Sequence, residues 1–103
     1  MELYIDTSSN ELITVGLIFA DRKDIRKEKH ETKKAQIVLP LLDELLKKNH
    51  KTLQDISMIS VECGPGSFTG LRVGIAIANT LGIVLHVPIN GKQIGELVDA
   101  VYQ

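Results

Sequence analysis

The sequence has a single cysteine, no long uninterrupted apolar run and almost no net charge. Because Cys63 is the sole cysteine among 103 residues, no internal disulfide can form, which favours a reducing, cytoplasmic location. The longest apolar run, residues 73–85, is interrupted by Asn79 and Thr80 and is shorter than the roughly 20 residues that span a bilayer. The net charge of −1 does not indicate a nucleic-acid-binding protein as a whole.

Several functional signatures are also missing. The N-terminus has no basic segment followed by an apolar stretch, so we expect no signal peptide. His30, His50 and His86 lie far apart and have no metal-ligand spacing. The composition, 44% hydrophobic and 24% charged, is that of an ordinary globular protein. The length predicts one domain covering residues 1–103.

The first part of the chain predicts an antiparallel meander of three strands. Residues 3–5 form a short apolar strand, and residues 12–20 alternate apolar and polar side chains with the period of a half-buried strand. A hairpin turn at residues 21–24 leads to residues 25–32, which carry almost only charge and predict a solvated edge strand.

The second part predicts helices around a central strand at residues 58–61. Residues 34–49 spread their apolar side chains over about 200° of a helical wheel, roughly twice the width that a core-facing helix needs. Pro40 marks either the start of this helix or a kink in it. A second helix is predicted at residues 70–85, with Thr69 or Ser67 as its cap.

A final strand at residues 87–89 and a final helix at residues 93–101 complete the predicted order βββαβαβα. This order is an α/β arrangement on a mixed sheet.

Two short motifs lie at strand ends. Asp6-Thr7-Ser8 could hold a hydrated magnesium ion or face a phosphate, or form a turn in which Asp6 accepts nearby backbone N–H groups. The local residues favour the turn. A glycine-rich segment joins the central strand to the second helix: Gly64, Pro65, Gly66, Ser67, Phe68, Thr69 and Gly70. It lacks the lysine of a phosphate-binding Walker loop, so a tight corner and a contact role are equally favoured.

The second helix carries two distinct stripes. Gly74, Ala78 and Gly82 lie four residues apart and permit close approach to the sheet or to another helix. A mixed face contains Arg72 and Ala76 and continues to Asn79, Thr80 and Ile83. Together with the wide first helix, this face leaves more apolar surface than a small sheet covers, which indicates an interface.

Two features have less specific interpretations. The segment 22–34 holds seven of the 12 basic residues and three acidic ones. It could touch RNA phosphates, although its pattern favours a solvated edge strand. Cys63 stands at the end of the central strand, and its surroundings in sequence favour a buried, inert thiol over a nucleophile.

The segment Gly64-Pro65-Gly66-Ser67-Phe68-Thr69-Gly70-Leu71-Arg72-Val73-Gly74 resembles the signature of the TsaB (YeaZ) family. The N-terminal residues 3–8 and the leucine-rich residues 39–46 resemble that family at the expected distances, so the similarity covers essentially the whole chain. The resemblance implies a single lobe of the actin-like ATPase or RNase H-like fold, with the same βββαβαβα order.

The family resemblance also implies a function. TsaB-like proteins are non-catalytic scaffold subunits that pair with a TsaD-like catalytic subunit to make threonylcarbamoyladenosine in tRNA. The pairing surface in the family is formed by the two helices beside the central strand. The partner-binding residues implied here are Ile37, Leu41, Arg72, Ala76, Asn79 and Ile83.

The resemblance implies that ATP and metal belong to the TsaD-like partner, that a TsaE-like ATPase joins through the complex, and that tRNA is contacted indirectly. No catalytic, cofactor-binding or metal-binding residue is expected in this chain, and without a partner it should form a homodimer. Residues 89–94 lack the histidine motif of the catalytic paralogue.

Length is the main departure from the family, which has a second lobe of similar size. The sequence contains one lobe, so it is either a natural single-lobed relative or one domain of a longer protein. Two other function classes stay open: a self-associating domain with no tRNA-modification role, and a nucleotide-hydrolysing enzyme.

Overall fold

The computed structural model describes residues 1–29, 35–66 and 68–101, and it confirms an α/β fold on a mixed sheet. Three strands come first: β1 (Glu2–Asp6), β2 (Leu12–Ile18) and β3 (Lys23–Lys29). They are followed by helix α1 (Ala35–Lys48), a short 3-10 turn (Leu53–Asp55), strand β4 (Met58–Val61) and helix α2 (Phe68–Leu85). Within the described residues, no helix is both long and apolar enough to cross a membrane.

The four strands form one sheet in the order β3-β2-β1-β4, with β1 antiparallel to β2 and parallel to β4. Alternation along the strands places one set of apolar side chains on a common face, where all of them are at most 5% exposed. That set consists of Leu3, Ile5, Ile13, Val15, Leu17, Ile59 and Val61. Both helices lie on this face, because α1 packs on β2 while α2 packs on β4 and β1.

Strand β3 divides its charges between the two faces of the sheet. Asp24 and Arg26 pair in register with Leu17 and Val15, so they lie on the helix side. Arg26 reaches Glu44 of α1 at 3.4 Å. The predicted edge strand is confirmed at Lys23–Lys29, whereas residues 30–32 of that prediction lie outside the described residues.

Helix α1 buries most of its wide apolar face. Val38, Leu42 and Leu45 are at most 3% exposed, while Leu39 is 50% exposed. Pro40 lies inside the helix on its exposed side. The expectation that α1 leaves a broad apolar surface uncovered is therefore wrong, because Leu39 is the main apolar side chain of α1 that remains exposed among the described residues.

The C-terminal part of the predicted order needs correction. The strand expected at residues 87–89 is reduced to a single parallel bridge between Ile89 and Ile59. The helix expected at residues 93–101 is wrong, because this segment has no regular secondary structure. Gly95 has φ +93°, which no α-helix accommodates, and Asn90 has φ 52°, which turns the chain away from the sheet after the bridge.

The Gly74-Ala78-Gly82 stripe packs on the domain's own sheet rather than on another helix. A Cβ added at Gly74 would lie 2.6 Å from Oγ1 of Thr7 and 3.3 Å from Cγ2 of Ile5. One added at Gly82 would lie 2.5 Å from Cδ1 of Ile89. The missing side chains are what allow α2 to approach the sheet so closely.

We predict that Gly74→Ala destabilises the fold. Alanine normally stabilises a helix interior relative to glycine by about 1 kcal/mol, but overpacking against Thr7 costs about 1–3 kcal/mol. The exposed variant Thr80→Ala is the matched control, since it adds an alanine to the same helix without a clash. Urea denaturation should show a loss for Gly74→Ala and little change for Thr80→Ala. Equal effects would contradict the packing described.

Candidate functional site: the strand–helix corner and the outer face of helix α2

The Asp6-Thr7-Ser8 segment forms a turn that uses the Asp6 carboxylate internally. Oδ1 of Asp6 accepts the backbone N–H of Ser8 at 2.9 Å and its hydroxyl at 2.6 Å. Oδ2 accepts the hydroxyl of Tyr4 at 3.4 Å. The interpretation of this motif as a turn is therefore confirmed.

Thr7 ties this turn to helix α2. Its side chain is fully buried, and its hydroxyl donates to the carbonyl of Gly70 at 2.6 Å while accepting the N–H of Gly74 at 3.1 Å. These two backbone groups stand four residues apart, the spacing at which an α-helix pairs N–H with C=O. The Thr7 hydroxyl thus bonds to both members of one i to i+4 pair of the helix, and it fixes the distance between α2 and the end of β1.

The glycine-rich corner contacts the same turn. A Cβ at Gly66 would lie 2.8 Å from Cβ of Ser8 and 3.1 Å from its carbonyl oxygen. The two sequence motifs therefore meet in space, and they meet through packing. Gly64 has φ +125°, a conformation that favours glycine. Helix α2 begins at Phe68, so Thr69 lies inside it and is not its cap; the alternative cap, Ser67, lies outside the described residues.

Cys63 is half-buried rather than fully buried. Burial raises the pKa of its thiol, which disfavours the reactive thiolate. The side-chain amide of Asn90 lies 3.2 Å from Sγ, and the carbonyl of Cys63 accepts the N–H of Val101 at 2.7 Å. These contacts support the prediction of an inert cysteine.

Two asparagine side chains, Asn79 and Asn90, hold the C-terminal segment by pairing with backbone, a role that the sequence did not predict for either of them. Asn90 accepts the N–H of Val61 at 2.8 Å and donates to its carbonyl at 3.1 Å. Asn79 does the same for Val98, with both distances 3.0 Å. The carboxamide offers one donor and one acceptor side by side, so each asparagine replaces a strand neighbour. Positive φ at Asn90 is not visible in sequence.

The structure separates the six predicted partner-binding residues. Leu41 is only 2% exposed, so its prediction as a contact residue is wrong: it lies in the core. Asn79 was predicted to face a partner, but its amide is committed to Val98. Ile37 is half-buried and packs against the core. Arg72, Ala76 and Ile83 do lie together on the exposed side of α2.

Ala76 and Ile83 belong to a larger apolar surface that we call the outer patch. Its members line the groove between α1 and α2 or continue along the exposed side of α2: Leu39, Ala76, Ile77, Thr80, Leu81, Ile83 and Val84. The groove, which is lined by the first five of them, has a volume of about 350 Å³. Ile83 and Val84 are 55% and 69% exposed. An apolar surface of this kind is typical of an interface.

A second cavity, of about 450 Å³, lies on the other flank of α2. It is lined by α2 and by the C-terminal segment, through Arg72, Ile75, Ala76, Asn79, Val98, Asp99 and Ala100. Ala76 borders both cavities and so stands at the centre of the accessible side of the helix.

The mixed sheet with both helices on one face is the actin-like or RNase H-like lobe. Comparison with known sequences leads to the same class of protein. A family model described as "TsaD: tRNA N6-adenosine threonylcarbamoyltransferase" matches residues 25–91. The chain therefore belongs to that family, and within it the TsaB (YeaZ) resemblance is confirmed.

Several of the curated relatives carry the name TsaB. A protein of Buchnera aphidicola subsp. Baizongia pistaciae, "tRNA threonylcarbamoyladenosine biosynthesis protein TsaB", is 34% identical over 86 residues, which are 84% of this chain and 38% of the relative. A TsaB of Bacillus subtilis is 34% identical over 92 residues, covering 85% of this chain and 38% of that protein. The chain thus spans less than half the length of these curated relatives.

Solved structures show the same lobe. YeaZ from Pseudomonas aeruginosa superposes with a TM-score of 0.82 and 30% identity, covering 89% of this chain and 43% of its own. A second structure, described as an uncharacterized protein with similarity to peptidase YEAZ from Pseudomonas aeruginosa, gives a TM-score of 0.81 and 32% identity over 85% of this chain and 40% of its own.

We predict that Gly66→Val lowers stability by about 1–3 kcal/mol, because the new side chain collides with Ser8. Thr69→Val is the matched control at the same corner, since Thr69 is exposed and valine has the same shape as threonine. Thermal unfolding followed by circular dichroism checks both variants, and nucleotide affinity is measured alongside. A Gly66→Val variant of normal stability that loses affinity for ATP would show that the loop binds phosphate instead.

Proposed function

We propose that this chain is a non-catalytic pairing lobe in the biosynthesis of threonylcarbamoyladenosine in tRNA, binding a TsaD-like partner through the outer patch. The observation that carries the proposal is the exposed apolar side of α2. The family match and the names of the relatives support the pathway.

The geometry of α2 supports the choice of surface. Its glycine stripe and Leu71 are buried against the sheet, so the opposite side of the helix is the one available to a partner. At the centre of that side, Ala76 and Thr80 are small enough to let another helix come close. Ile83, Val84 and Leu39 supply apolar area around them, at roughly 25 cal/mol per Å² removed from water.

The arrangement of polar groups supports a non-catalytic role. The Asp6 carboxylate is engaged by Ser8, and the raised pKa of Cys63 disfavours a nucleophilic thiolate. In the proposal, ATP and metal are bound by the TsaD-like partner, a TsaE-like ATPase joins through the complex, and the assembly works in the cytoplasm. Purified chain should therefore lack ATPase, transferase and protease activity. ATP turnover that Asp6→Ala abolishes would favour a nucleotide-hydrolysing enzyme.

Self-association is the second candidate, and the same patch favours it. Two copies related by a two-fold axis would bring α1 and α2 of each chain into a four-helix bundle. Homodimer and partner complex would then compete for one surface. A domain that dimerises but never binds a TsaD-like protein would fit a role outside tRNA modification.

We predict that Ala76→Glu abolishes both the homodimer and the complex with a TsaD-like protein. An unpaired charge buried in an interface costs several kcal/mol, which exceeds what a small apolar patch restores. Light scattering gives the mass of the chain alone, and co-purification tests the complex. Circular dichroism confirms folding.

Gln54→Glu is the matched control, since it makes the same charge change at an exposed position of the 3-10 turn. It should leave both associations intact. A folded Ala76→Glu variant that still dimerises and still binds the partner would show that another surface is used.

A further inference from the structure

The open face of the sheet carries a row of lysines along its edge. The register of β3 on β2 places Lys23, Lys27 and Lys29 opposite Ile18, Thr14 and Leu12 respectively. These positions alternate with Asp24, Arg26 and Glu28, which lie on the helix side. The three lysines therefore share the face that neither α1 nor α2 covers.

The acidic side chains of β3 do not neutralise this row. Asp24 is held on the helix side by Lys48 at 3.3 Å and by the amide of Asn49 at 3.0 Å. Glu28 pairs in register with the buried Ile13, which places it on that same side. The three lysines of β3 thus lie on the open face, and both of its acidic residues lie on the helix side. The mixed composition of the strand does not show this separation.

Among the described residues, the lysine row has no carboxylate ion-pair partner. In the described parts of the chain, the five ion pairs do not include any of the three lysines. Strand β2 contributes only neutral side chains to this face next to them. All three lysines are exposed.

The spacing of the row suits an extended polyanion. Alternate residues of a strand lie about 7 Å apart, so the row from Lys23 to Lys29 extends about 20 Å, with Ile25 in the position between Lys23 and Lys27. Along one strand of a nucleic acid duplex, phosphates recur about every 3.4 Å of helix axis, so a row of this length faces several of them. Flexible lysines contact phosphates without reading sequence.

We propose that the Lys23-Lys27-Lys29 row is a contact surface for the phosphate backbone of RNA. The choice of RNA over another polyanion rests on the proposed role in tRNA modification. The existence of the lysine row does not depend on that role. It lies on the face of the sheet opposite the helices, so RNA and a partner on the outer patch can bind together. The acidic groups Glu2, Asp6 and Glu62 lie on or beside β1 and β4, across the sheet, which confines the contact to the β3 edge.

The test compares two triple variants with equal charge change. One replaces Lys23, Lys27 and Lys29 by glutamine; the control replaces Lys47, Lys51 and Lys92, which lie away from β3. Binding of a fluorescently labelled tRNA transcript to the 103-residue chain is followed by anisotropy between 50 and 200 mM salt (roughly the range over which phosphate contacts weaken most). Circular dichroism confirms that both variants fold.

We expect wild type and control to bind with Kd of roughly 10⁻⁴ to 10⁻⁶ M at physiological salt, and the β3 variant to bind about tenfold more weakly. The slope of log K against log salt should flatten by about two in the β3 variant, since each lost phosphate contact removes roughly 0.7–0.9. Equal weakening in both variants, or no tRNA binding by wild type, would overturn the proposal. So would equal displacement of tRNA by polyglutamate of the same charge.

The same samples separate this proposal from the proposed function. If the β3 variant loses tRNA but still co-purifies with a TsaD-like protein, the lysine row and the outer patch act independently. If wild type binds tRNA but no such partner, the lysine row stands and the proposed pairing falls.

Discussion

The buried hydroxyl of Thr7 sets the position of helix α2, and the other features of the lobe follow from that position. One hydroxyl contacts both Gly70 and Gly74, so the end of β1 and the first turns of α2 are held in register. Any side chain at Gly74 would push the helix away from this contact. A buried hydroxyl without partners costs about 1–3 kcal/mol, so the helix and the strand end depend on each other. The contact between the end of β1 and the start of α2 therefore has a structural role.

Fixing one side of α2 decides which side faces outward. The glycine stripe turns inward, so Ala76, Thr80, Ile83 and Val84 lie outside together with Leu39 of α1. The opposite face of the sheet has different chemistry, since its β3 edge presents three lysines beside the single isoleucine Ile25. A two-layer lobe of this size therefore separates an apolar surface suited to a protein from a basic surface suited to phosphate. The two proposals, pairing with a protein and contact with RNA, use these two surfaces separately.

Sequence reasoning predicted the parts of the fold that depend on local pattern. Alternation in β2, the central strand β4 and both helices follow from period and composition, and the glycine-rich segment identifies the family. The helix predicted at residues 93–101 does not form, although its apolar residues recur at the three- and four-residue spacing of a helix. The positive φ of Gly95 and the hydrogen bonds from Asn79 to Val98 hold this segment in another conformation. Leu41 was misplaced because a wheel cannot show which part of a wide apolar face meets the sheet. Contacts between residues distant in sequence, such as Thr7 with Gly74, carry no local signal.

The most direct test of this account is a methyl-labelled NMR titration of the chain with a TsaD-like protein. Isoleucine, leucine and valine methyl groups occur on every surface, so each candidate interface has its own reporters. If the outer patch is the pairing surface, complex formation shifts or broadens the methyl signals of Leu39, Ile77, Leu81, Ile83 and Val84. Those of Ile18 and Ile25, on the open face of the sheet, should stay unchanged. Perturbation of Ile18 and Ile25 with an unchanged outer patch would contradict it.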